Sequence, residues 1–456
     1  MKLSPLITLY GVLTACFLLL FCFAELPFME PDSGNHFRRA FQIAHGQLIG
    51  KKVSATSSGG EGLVSLEEDQ AAYFPGFFDR HWKVPESAHV KAQTDTIRGP
   101  TEYSQFPNTV IYEPIFYLPD AVAINISRIF DFSLLNTMHL MRVLTAVTSF
   151  IITLIALMII PMNRRFLLLF VVSVPEVLLS YASISYDALL IAFSVLASAA
   201  ICKAYEAETY ETKRAGLILF FAVTSIIVAS KPPYVSLLLF PILTTPLLAL
   251  PFRKILSWTA LSLIPTIFWG AIGIRPVITP SWVGRSDVSG QIAYLLHHPL
   301  EIFSITYNTV TRHGAAMLAQ SIGTIRWSGA WLPIFYYVIV GAAFLLLLIA
   351  FIALIVRSRG KRVPLILMFL NFPLCAFLVS LSIYLTWDAV GDDNIWGING
   401  RYFTAIMMFV PILFFLNGEF SPYLKRAEKI VTYVFLPVSL VITLWTLVSL
   451  NFALPV

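Results

Sequence analysis

The chain contains 456 residues, of which 57% are hydrophobic and only 12% are charged, and its formal net charge is +5. Soluble domains usually carry about 25% charged residues, so the composition excludes an ordinary soluble protein. The charges lie in short clusters between apolar runs of roughly 18–24 residues, the length of a helix that crosses a bilayer. The sequence therefore predicts an all-α polytopic membrane protein, whose small positive charge indicates loop anchoring rather than binding of nucleic acid.

About eleven apolar segments are expected to cross the membrane as helices. The first, residues 5–24, also resembles a signal peptide, because Lys2 precedes an apolar core and small residues lie near Ala24. We expect a retained transmembrane helix, and in either case the residues after Ala24 lie outside. The other predicted helices cover residues 137–161, 166–182, 187–204, 215–231, 233–251, 255–273, 331–356, 363–386, 400–416 and 430–450.

Short basic connections determine the predicted orientation. All five fall on one side of an eleven-helix arrangement: NRR at 163–165, the 203–214 loop, FRK at 252–254, RSRGKR at 357–362 and LKRAEK at 424–429. Because basic loops stay in the cytoplasm, the N-terminus is expected inside and the C-terminus outside. Two long extracytoplasmic loops then follow: residues 25–136 after the first helix (1–24), and residues 274–330 between the helices of 137–273 and those of 331–456.

The first long loop is predicted to be folded rather than to be a flexible linker. It contains the aromatic- and proline-rich segments FPGFFDRHW and YEPIFYLPDAVAINI. Residues 110–128 are too short, and too interrupted by Pro114 and Pro119, to cross the membrane comfortably. They are expected to form an interfacial or re-entrant helix, which is stable at membrane depth only where protein covers it.

The segment MEPDSGNHFRRA at 29–40 follows the first predicted helix and is densely polar. Helical spacing places His36 and Arg39 within about 40° of Asp32, whereas Phe37 and Phe41 point the opposite way. The segment therefore predicts a short helix with an acid, an imidazole and a guanidinium on one side. Asp32 alone could instead be an N-cap, but a cap does not explain the other two residues.

Three further ionisable residues lie at the outward ends of predicted helices. Asp187 begins one helix, Lys231 precedes the rigid Pro232-Pro233 pair, and Arg401 opens another helix. A charge at the centre of a membrane helix costs about 2.5–3.5 kcal/mol, so such residues indicate a polar cavity or a bound ligand. The alternatives are an N-cap for Asp187 and snorkelling to lipid headgroups for Lys231 and Arg401.

Taken together, these residues predict an anion site beside a carboxylate near the outer membrane face. Arg39, Lys231 and Arg401 are cations that suit a phosphate group. Asp32 or Asp187 suits a general base. This combination indicates a lipid-phosphate substrate and transfer chemistry at that face.

No cofactor is indicated by the sequence. The four cysteines lie in apolar segments without metal-ligand spacing or a disulfide pattern, and are expected to be small buried side chains: Cys16, Cys22, Cys202 and Cys375. The acidic run GLVSLEEDQ, with Glu67, Glu68 and Asp69, could recruit a divalent cation. A solvated loop face is the simpler interpretation of this run.

PDSGNHFRRAFQIAHGQLIG resembles the signature PDE-x-x-H-x-x-R-A-x-x-L-x-x-G of a family of bacterial multi-span proteins classed as a domain of unknown function. YEPIFYLPDA, SYDALL, SKPPY and GRYFTAIMMFVPIL are similar to its further blocks, in the same order, so the resemblance covers about residues 27–415. That family in turn resembles a branch of the GT-C glycosyltransferases, which take polyprenyl-phosphate sugars as donors. The resemblance implies a GT-C-like fold with short interfacial helices in a large first extracytoplasmic loop.

The same resemblance implies roles for individual residues. GT-C enzymes carry an essential acid in the first outer loop, and Asp32 holds that position in this chain. The relatives usually have Glu at the next position, where this chain has Ser33, so Glu30 is the nearest second acid and a metal-bridging pair is not favoured. The matching blocks also supply residues expected to bind the donor phosphate, namely His36 and Arg39 from the first block and Lys231 and Arg401 from later ones, supported by Asp187, Tyr234 and Tyr402.

The expected function is inverting transfer of a sugar from an undecaprenyl-phosphate-linked donor to a cell-surface glycan such as O-antigen, at the periplasmic face of the bacterial inner membrane. Asp32 would take the proton of the acceptor, and the cations would stabilise the departing lipid phosphate. Several aromatic residues could stack on sugar rings, although they are more typical of an interfacial belt: Tyr103, Tyr112, Tyr117, Trp387 and Trp396. Alternative functions are a flippase or exporter of lipid-linked saccharides, an O-antigen polymerase or ligase, and a non-catalytic assembly subunit.

Overall fold

The computed structural model of the chain describes residues 4–73, 85–279, 286–326, 329–414 and 421–452, so the segment FPGFFDRHW lies outside the described residues. The described helices are α1 (Pro5–Ala24), α2 (Ser33–Ala44), α3 (Val64–Tyr73), α4 (Glu86–Thr94), α5 (Leu118–Phe130), α6 (Leu134–Ile159), α7 (Met162–Val172), α8 (Pro175–Tyr181), α9 (Asp187–Glu206), α10 (Tyr210–Ser230), α11 (Leu239–Leu243), α12 (Thr245–Leu248), α13 (Phe252–Ser262), α14 (Ile264–Trp269), α15 (Val288–His297), α16 (Glu301–Ile322), α17 (Ile334–Arg357), α18 (Arg362–Trp387), α19 (Thr404–Met407), α20 (Ser421–Ile430) and α21 (Leu436–Phe452). Short 3₁₀ turns cover Pro114–Tyr117, Pro232–Leu238, Arg359–Lys361, Gly400–Phe403 and Val410–Leu413. Two π turns, Gly270–Ile274 and Val431–Phe435, continue α14 and join α20 to α21.

Eight helical segments of the described chain are long and apolar enough to cross a membrane. Each overlaps one of the eleven segments predicted from the sequence. They are Pro5–Ala24, Leu134–Ile159, Asp187–Glu206, Tyr210–Ser230, Phe252–Ile274, Ile334–Arg357, Arg362–Trp387 and Lys425–Asn451. The chain is therefore a mostly helical polytopic membrane protein.

The other three predicted helices are interrupted, which corrects the expectation of eleven continuous spans. Residues 166–182 are divided into α7 and α8 before Pro175, residues 233–251 begin as a 3₁₀ turn, and the described part of 400–416 consists of α19 between two 3₁₀ turns. Proline removes a backbone donor and crowds the preceding turn, which a count of apolar residues does not register. Irregular backbone at membrane depth needs a covering of protein, and most of α7 and all of α8 are accordingly buried.

Two ion pairs bring together basic loops that were predicted to share one side of the membrane. Arg164 Nε lies 2.6 Å from Glu206 Oε1, which joins the first basic turn to the loop after α9. Arg165 Nη1 lies 3.7 Å from Glu428 Oε1, which joins the same turn to α20. α9 starts, and α10 ends, at the opposite end of the helix bundle, where the predicted site residues lie.

The first long loop contains a small antiparallel sheet, so the fold is not entirely helical as predicted. Strands β1 (Lys51–Lys52), β2 (Ser58–Leu63) and β3 (Thr101–Gln105) lie in the order β1-β2-β3, with Gly59 opposite Gln105. A Cβ atom on Gly59 would lie 1.9 Å from the backbone oxygen of Ser104, so the strands approach this closely only because β2 has glycine there. Glycine has low strand propensity, and for that reason SGGEGL does not look like a strand in the sequence.

Residues 110–128 contain the helix that was expected there. α5 packs on α2 and α6 and leaves Leu118 and Val122 exposed, an arrangement that suits a helix at the membrane surface. On its buried face, Asp120 accepts a hydrogen bond from Thr145 Oγ1 at 2.8 Å. Burial raises the pKa of the Asp120 carboxyl to about 8. This uncharged contact holds α5 against the first part of α6.

The second long loop also has its own structure. α15 and α16 are followed by a hairpin of β4 (Thr324–Ile325) and β5 (Ala330–Trp331). α16 packs against the 3₁₀ turn that begins at Gly400. A Cβ on Gly400 would lie 1.9 Å from the carbonyl oxygen of Met317, so the lack of a side chain lets α16 hold this turn in place. Residue 401, which follows, is thereby positioned by the second loop.

Candidate functional site

Asp32 lies between α1 and α2 in a left-handed backbone conformation, with φ 58°. It stands at the cap position of α2, yet its side chain makes no capping hydrogen bond, so the N-cap alternative does not describe its role. The carboxylate instead accepts hydrogen bonds from Arg401 Nη2 at 2.6 Å and from Asn108 Nδ2 at 3.2 Å. The side chain is 20% exposed, so part of the carboxylate remains accessible despite these contacts.

Arg401 joins Asp32 to a second acid. Its Nε lies 3.8 Å from Oδ2 of Asp187, while its Nη2 contacts Asp32. The guanidinium is 12% exposed and lies between two carboxylates, so it is not snorkelling to a lipid headgroup. Asp187 is the first residue of α9, but the cap position belongs to Tyr186, and the N-cap alternative for Asp187 is therefore wrong.

Lys231 follows the last residue of α10 and points into a group of tyrosine rings. Its Nζ donates to the Tyr186 hydroxyl at 2.9 Å and lies 4.2 Å from the centre of the Tyr402 ring. Arg401 Cζ lies 5.5 Å from the same ring, so the two cations flank one tyrosine. Tyr234 fixes this tyrosine by donating its hydroxyl to the Tyr402 carbonyl at 2.5 Å. Cation–π contacts hold an ammonium without neutralising its charge, which leaves the charge of Lys231 available to a bound anion.

Five predicted residues thus form one group, which we call the charged cluster: Asp32, Asp187, Lys231, Arg401 and Tyr402. They come from the turn after α1, the start of α9, the end of α10 and the turn before α19. Three of these places belong to helices that the sequence predicted as spans. Asp187 begins one such helix, Lys231 follows the end of another, and Arg401 lies in an interrupted one. Broken helices at membrane depth are typical of binding sites, because the interrupted backbone lines a polar space.

His36 lies behind the charged cluster in a ring of aromatic side chains. Its Nδ1 is 2.8 Å from the Tyr117 hydroxyl, and its ring centre is 5.6 Å from that of Tyr186. Burial, and then the nearby charges of Arg401 and Lys231, lower the pKa of His36 well below its usual value. The imidazole is therefore neutral at pH 7, so it can orient Tyr117 but adds no positive charge for a phosphate.

Arg39 is not in the charged cluster, and its predicted role as a phosphate ligand does not fit its position. The fully buried guanidinium donates to Gln42 Oε1 at 2.6 Å and to the carbonyl oxygens of Leu48 and Tyr112 at 2.9 and 2.8 Å. It therefore ties α2 to two loop segments. Tyr112 stacks on Tyr186 with ring centres 4.0 Å apart, so Arg39 supports the site through this tyrosine.

Glu30 has a buried partner that the prediction did not include. Its Oε1 lies 2.5 Å from Nε of Arg142, a fully buried residue of α6 that also donates to the carbonyls of Glu25 and Leu26. This arrangement holds the chain between α1 and α2. The sequence did contain a signal for it, because Arg142 is an ionisable residue inside a predicted span, and such residues are usually functional or paired.

We expect Arg142→Met to destabilise the protein by about 3–5 kcal/mol, because it leaves the Glu30 carboxylate buried without a partner. Thermal unfolding in detergent measures the change. The double variant Arg142→Met/Glu30→Gln should recover part of the loss, whereas Arg214→Met, in an exposed pair with Glu211 at 3.9 Å, should have little effect. An Arg142→Met protein as stable as the wild type would contradict a structural role for this pair.

Two neutral residues of the site were missed by the sequence analysis. Tyr186 contacts Lys231 and lies inside the SYDALL block, so its motif was identified without its role. Asn108 holds Asp32, but a single amide in a loop carries no sequence signal. Of the proposed sugar-stacking residues, Tyr112 and Tyr117 lie beside the charged cluster, while Trp396 is 65% exposed and lies against His313.

A cavity of ≈ 270 Å³ opens beside Arg401. Arg401 and Asp187 are the members of the charged cluster that line it, so Arg401 connects the cavity with Asp32. Most of the other lining residues are polar and come from several elements, including Glu30, Glu176, Ser180, Ser183, Gln320 and Arg326. The site therefore combines two neighbouring cations, Lys231 and Arg401, with an adjoining and mostly polar space.

Within the described ranges, no group of three or more His, Cys, Asp or Glu side chains is arranged to hold a metal ion. The acidic run of α3 contacts cations of the protein itself. Asp69 lies 2.9 Å and Glu68 3.5 Å from Lys91 Nζ, and Glu67 lies 3.8 Å from Arg38. The three acids of this run therefore have partners within the protein.

No curated protein and no solved structure matches the chain. A family model with the description "Predicted membrane protein (DUF2142)" matches residues 16–410, which includes the whole charged cluster. The chain therefore belongs to this DUF2142 family of membrane proteins.

Proposed function

We propose that this protein is a membrane glycosyltransferase of the GT-C type. It moves a sugar from a polyprenyl-phosphate donor to a cell-surface glycan, O-antigen or a related polymer, with inversion at the anomeric carbon. The observation that carries the proposal is the contact of 2.6 Å between the Asp32 carboxylate and Arg401, beside the aromatic-held ammonium of Lys231. A base and two cations next to one another are what transfer from a phosphate leaving group requires.

The reaction assigns a separate task to each part of the charged cluster. Asp32 accepts the proton of an acceptor hydroxyl while that oxygen forms a bond to the anomeric carbon. The bond between the anomeric carbon and the phosphate oxygen breaks, and the electron pair leaves with the lipid phosphate. Lys231 and Arg401 stabilise the charge that develops on this phosphate. Asp187 orients Arg401, and neutral His36 orients Tyr117.

The proposed location is the periplasmic face of the bacterial inner membrane, with the N-terminus in the cytoplasm. The basic loops joined by Arg164–Glu206 and Arg165–Glu428 support this orientation, because basic loops stay in the cytoplasm. The charged cluster lies at the opposite end of α9 and α10. Polyprenyl-linked sugars and surface glycans are both accessible at that face.

The test is sugar transfer by the purified protein in proteoliposomes. A polyprenyl-phosphoryl sugar and a glycan acceptor are supplied on both sides of the bilayer, and the product is analysed by mass. Addition of a single sugar supports the proposal. Movement of the lipid across the bilayer without transfer would instead indicate a flippase, and transfer of a whole glycan block would indicate a polymerase or ligase.

Lys231→Met should weaken the use of the donor while leaving that of the acceptor nearly unchanged. Methionine keeps an apolar chain over the Tyr402 ring but removes the charge, and a hydrogen bond to a charged group contributes about 1.5–3 kcal/mol. We expect the KM for the donor to rise about tenfold to a hundredfold.

The matched control for Lys231 is Lys254. It also donates to a tyrosine hydroxyl, that of Tyr210, and lies 4.8 Å from the Tyr210 ring and 5.3 Å from the Trp258 ring, but at the end of the bundle that carries the basic loops. Lys254→Met should leave the donor KM unchanged. If both substitutions raised the donor KM equally, the increase would come from a disturbed fold and not from the loss of a contact with the donor phosphate.

A further inference from the structure

The loop between α18 and the turn that carries Arg401 has a tryptophan on its surface. Trp396 is 65% exposed and lies five residues before Arg401 in the chain. Because an extended chain covers at most about 3.6 Å per residue, the Cα atoms of these two residues are at most about 18 Å apart. The exposed indole therefore lies within the length of a short oligosaccharide from the charged cluster.

Hydrogen bonds to α16 hold this loop in place. Asn308 Nδ2 donates to the carbonyl oxygen of Asp393 at 3.0 Å, and the backbone N–H of Ile395 donates to Thr309 Oγ1 at 2.9 Å. These contacts fix the residues directly before Trp396. A ligand that binds to the indole therefore meets a pre-formed surface and does not have to order the loop, which removes one cost of binding.

The exposed face of α16 indicates which side of the loop is turned to water. Four apolar side chains of α16 are more than half exposed, and helical spacing places them within about 80° of one another: Phe303, Tyr307, Val310 and Leu318. An exposed apolar stripe on a helix of a membrane protein is typical of a lipid-facing surface. Asn308, Thr309 and Arg312, which contact the loop, lie at least about 120° from the middle of this stripe. The loop with Trp396 therefore lies on the side of α16 that is turned away from the lipid.

The groups beside the Trp396 indole are polar. Its ring centre lies 5.7 Å from that of His313, and His313 Nε2 is 3.1 Å from Asn394 Nδ2. Arg312 Nη1 donates to Asn394 Oδ1 at 2.7 Å, and the backbone N–H of Trp396 donates to Asp388 Oδ1 at 3.1 Å. The C–H groups of a sugar ring pack on the negative face of an indole, while its hydroxyl groups form hydrogen bonds with planar polar groups at the edge. The surface at Trp396 combines both kinds of group.

Trp331 shows the contrasting arrangement. It is also about half exposed, but its ring packs on Tyr337 at 5.8 Å between ring centres. The exposed apolar side chains of Ile334 and Phe335 follow it at the start of the membrane-spanning α17. This is the setting of a tryptophan in an interfacial belt, and Trp396 does not share it.

We propose that Trp396 and the polar groups beside it form the binding surface of the acceptor glycan, with a sugar ring stacked on the indole. The inference rests on the proposed sugar transfer. The glycan extends from Trp396 towards Arg401 and brings its acceptor hydroxyl to Asp32, which contacts Arg401. The two substrates then have separate sites, since the lipid phosphate binds to the charged cluster and the glycan binds to the outer loop.

Binding of a lipid-free glycan to the full-length protein in nanodiscs tests the inference. The glycan probe is the surface polysaccharide of the source bacterium, released from its lipid by mild acid so that it cannot enter the bilayer. Trp396→Ala and Trp396→Leu should weaken glycan binding about fivefold or more, because neither side chain has a flat ring face. Trp396→Phe keeps an aromatic face and should lose about threefold or less. All three variants should bind polyprenyl phosphate, the probe of the donor site, as tightly as the wild type.

Trp331→Ala is the matched control and should bind the glycan normally. Unchanged glycan binding by Trp396→Ala and Trp396→Leu would overturn the inference, as would an equal loss in Trp331→Ala. A wild type that transfers sugar but does not bind the lipid-free glycan would also overturn it, and would leave the proposed function intact. Glycan binding that depends on Trp396, in a protein that transfers no sugar, would support the glycan surface and overturn the proposed function.

Discussion

Replacement of Asp32 by asparagine should lower the rate of sugar transfer about 10²–10⁴-fold, the usual contribution of a positioned general base. The amount of folded protein should not change, because asparagine has nearly the same size and tolerates the left-handed backbone that Asp32 adopts at φ 58°. The amide oxygen can still accept the hydrogen bond from Arg401, but it cannot take the proton of an acceptor hydroxyl. Initial rates at saturating donor and acceptor, with protein quantified by size-exclusion chromatography, measure the effect.

The matched control for Asp32 is Asp131. It also has a left-handed backbone, with φ 54°, and also lies next to an arginine, since its Oδ1 is 3.7 Å from Nε of Arg98. It differs in being exposed and remote from the charged cluster. Asp131→Asn should leave transfer unchanged. Full activity of Asp32→Asn would exclude Asp32 as the base, whatever the result of the control.

Replacement of Arg401 by alanine should weaken donor binding by about 2–5 kcal/mol, more than it weakens binding of the acceptor. The substitution removes one of the two cations of the proposed phosphate site, and it also leaves Asp32 and Asp187 without their shared partner. Both carboxylates then repel a phosphate. Binding of the donor and of the acceptor, measured separately by titration, distinguishes this prediction from a general loss of fold.

Two further variants, Arg401→Lys and Arg312→Ala, should lose less donor binding than Arg401→Ala. Lysine keeps the charge but cannot contact two acids with a planar group, so donor binding should be intermediate. Arg312 forms a two-point pair with Asp393 at 2.7 and 2.6 Å, but its side chain is 47% exposed, and surface pairs contribute only about 0–1 kcal/mol. Arg312→Ala should therefore bind donor normally. Unaltered donor binding by Arg401→Ala would contradict phosphate recognition at this residue.

The convergence of Asp32, Asp187, Lys231 and Arg401 could be predicted because it depends on topology. Alternation of apolar segments and basic turns assigns each residue to the same end of the bundle, whatever its distance in the chain. The eight continuous spans follow from the same pattern, since length and apolar content suffice to define them. The three interrupted segments have enough apolar residues to be counted as spans, but their prolines break the helix.

Side-chain partners could not be predicted in the same way. Arg39 looks available in the sequence, yet backbone carbonyls of Leu48 and Tyr112 take its donors. In the sequence, Glu30 looks like a second acid available to the site beside Asp32. In the structure, its carboxylate is paired with Arg142 of α6. Contacts of this kind depend on tertiary packing between segments that have no periodic relation to one another. The polar cavity is likewise assembled from Glu176, Gln320 and other residues that no single motif contains.

The left-handed backbone at Asp32 also has a consequence for the evolution of the family. Aspartate, asparagine and glycine are the residues that adopt this conformation most readily. These three residues can therefore replace one another at position 32 at little cost to folding. A family member with asparagine or glycine there should keep the same architecture while lacking the carboxylate. Under the proposed mechanism, the identity of this one residue separates family members that can transfer a sugar from folded members that cannot.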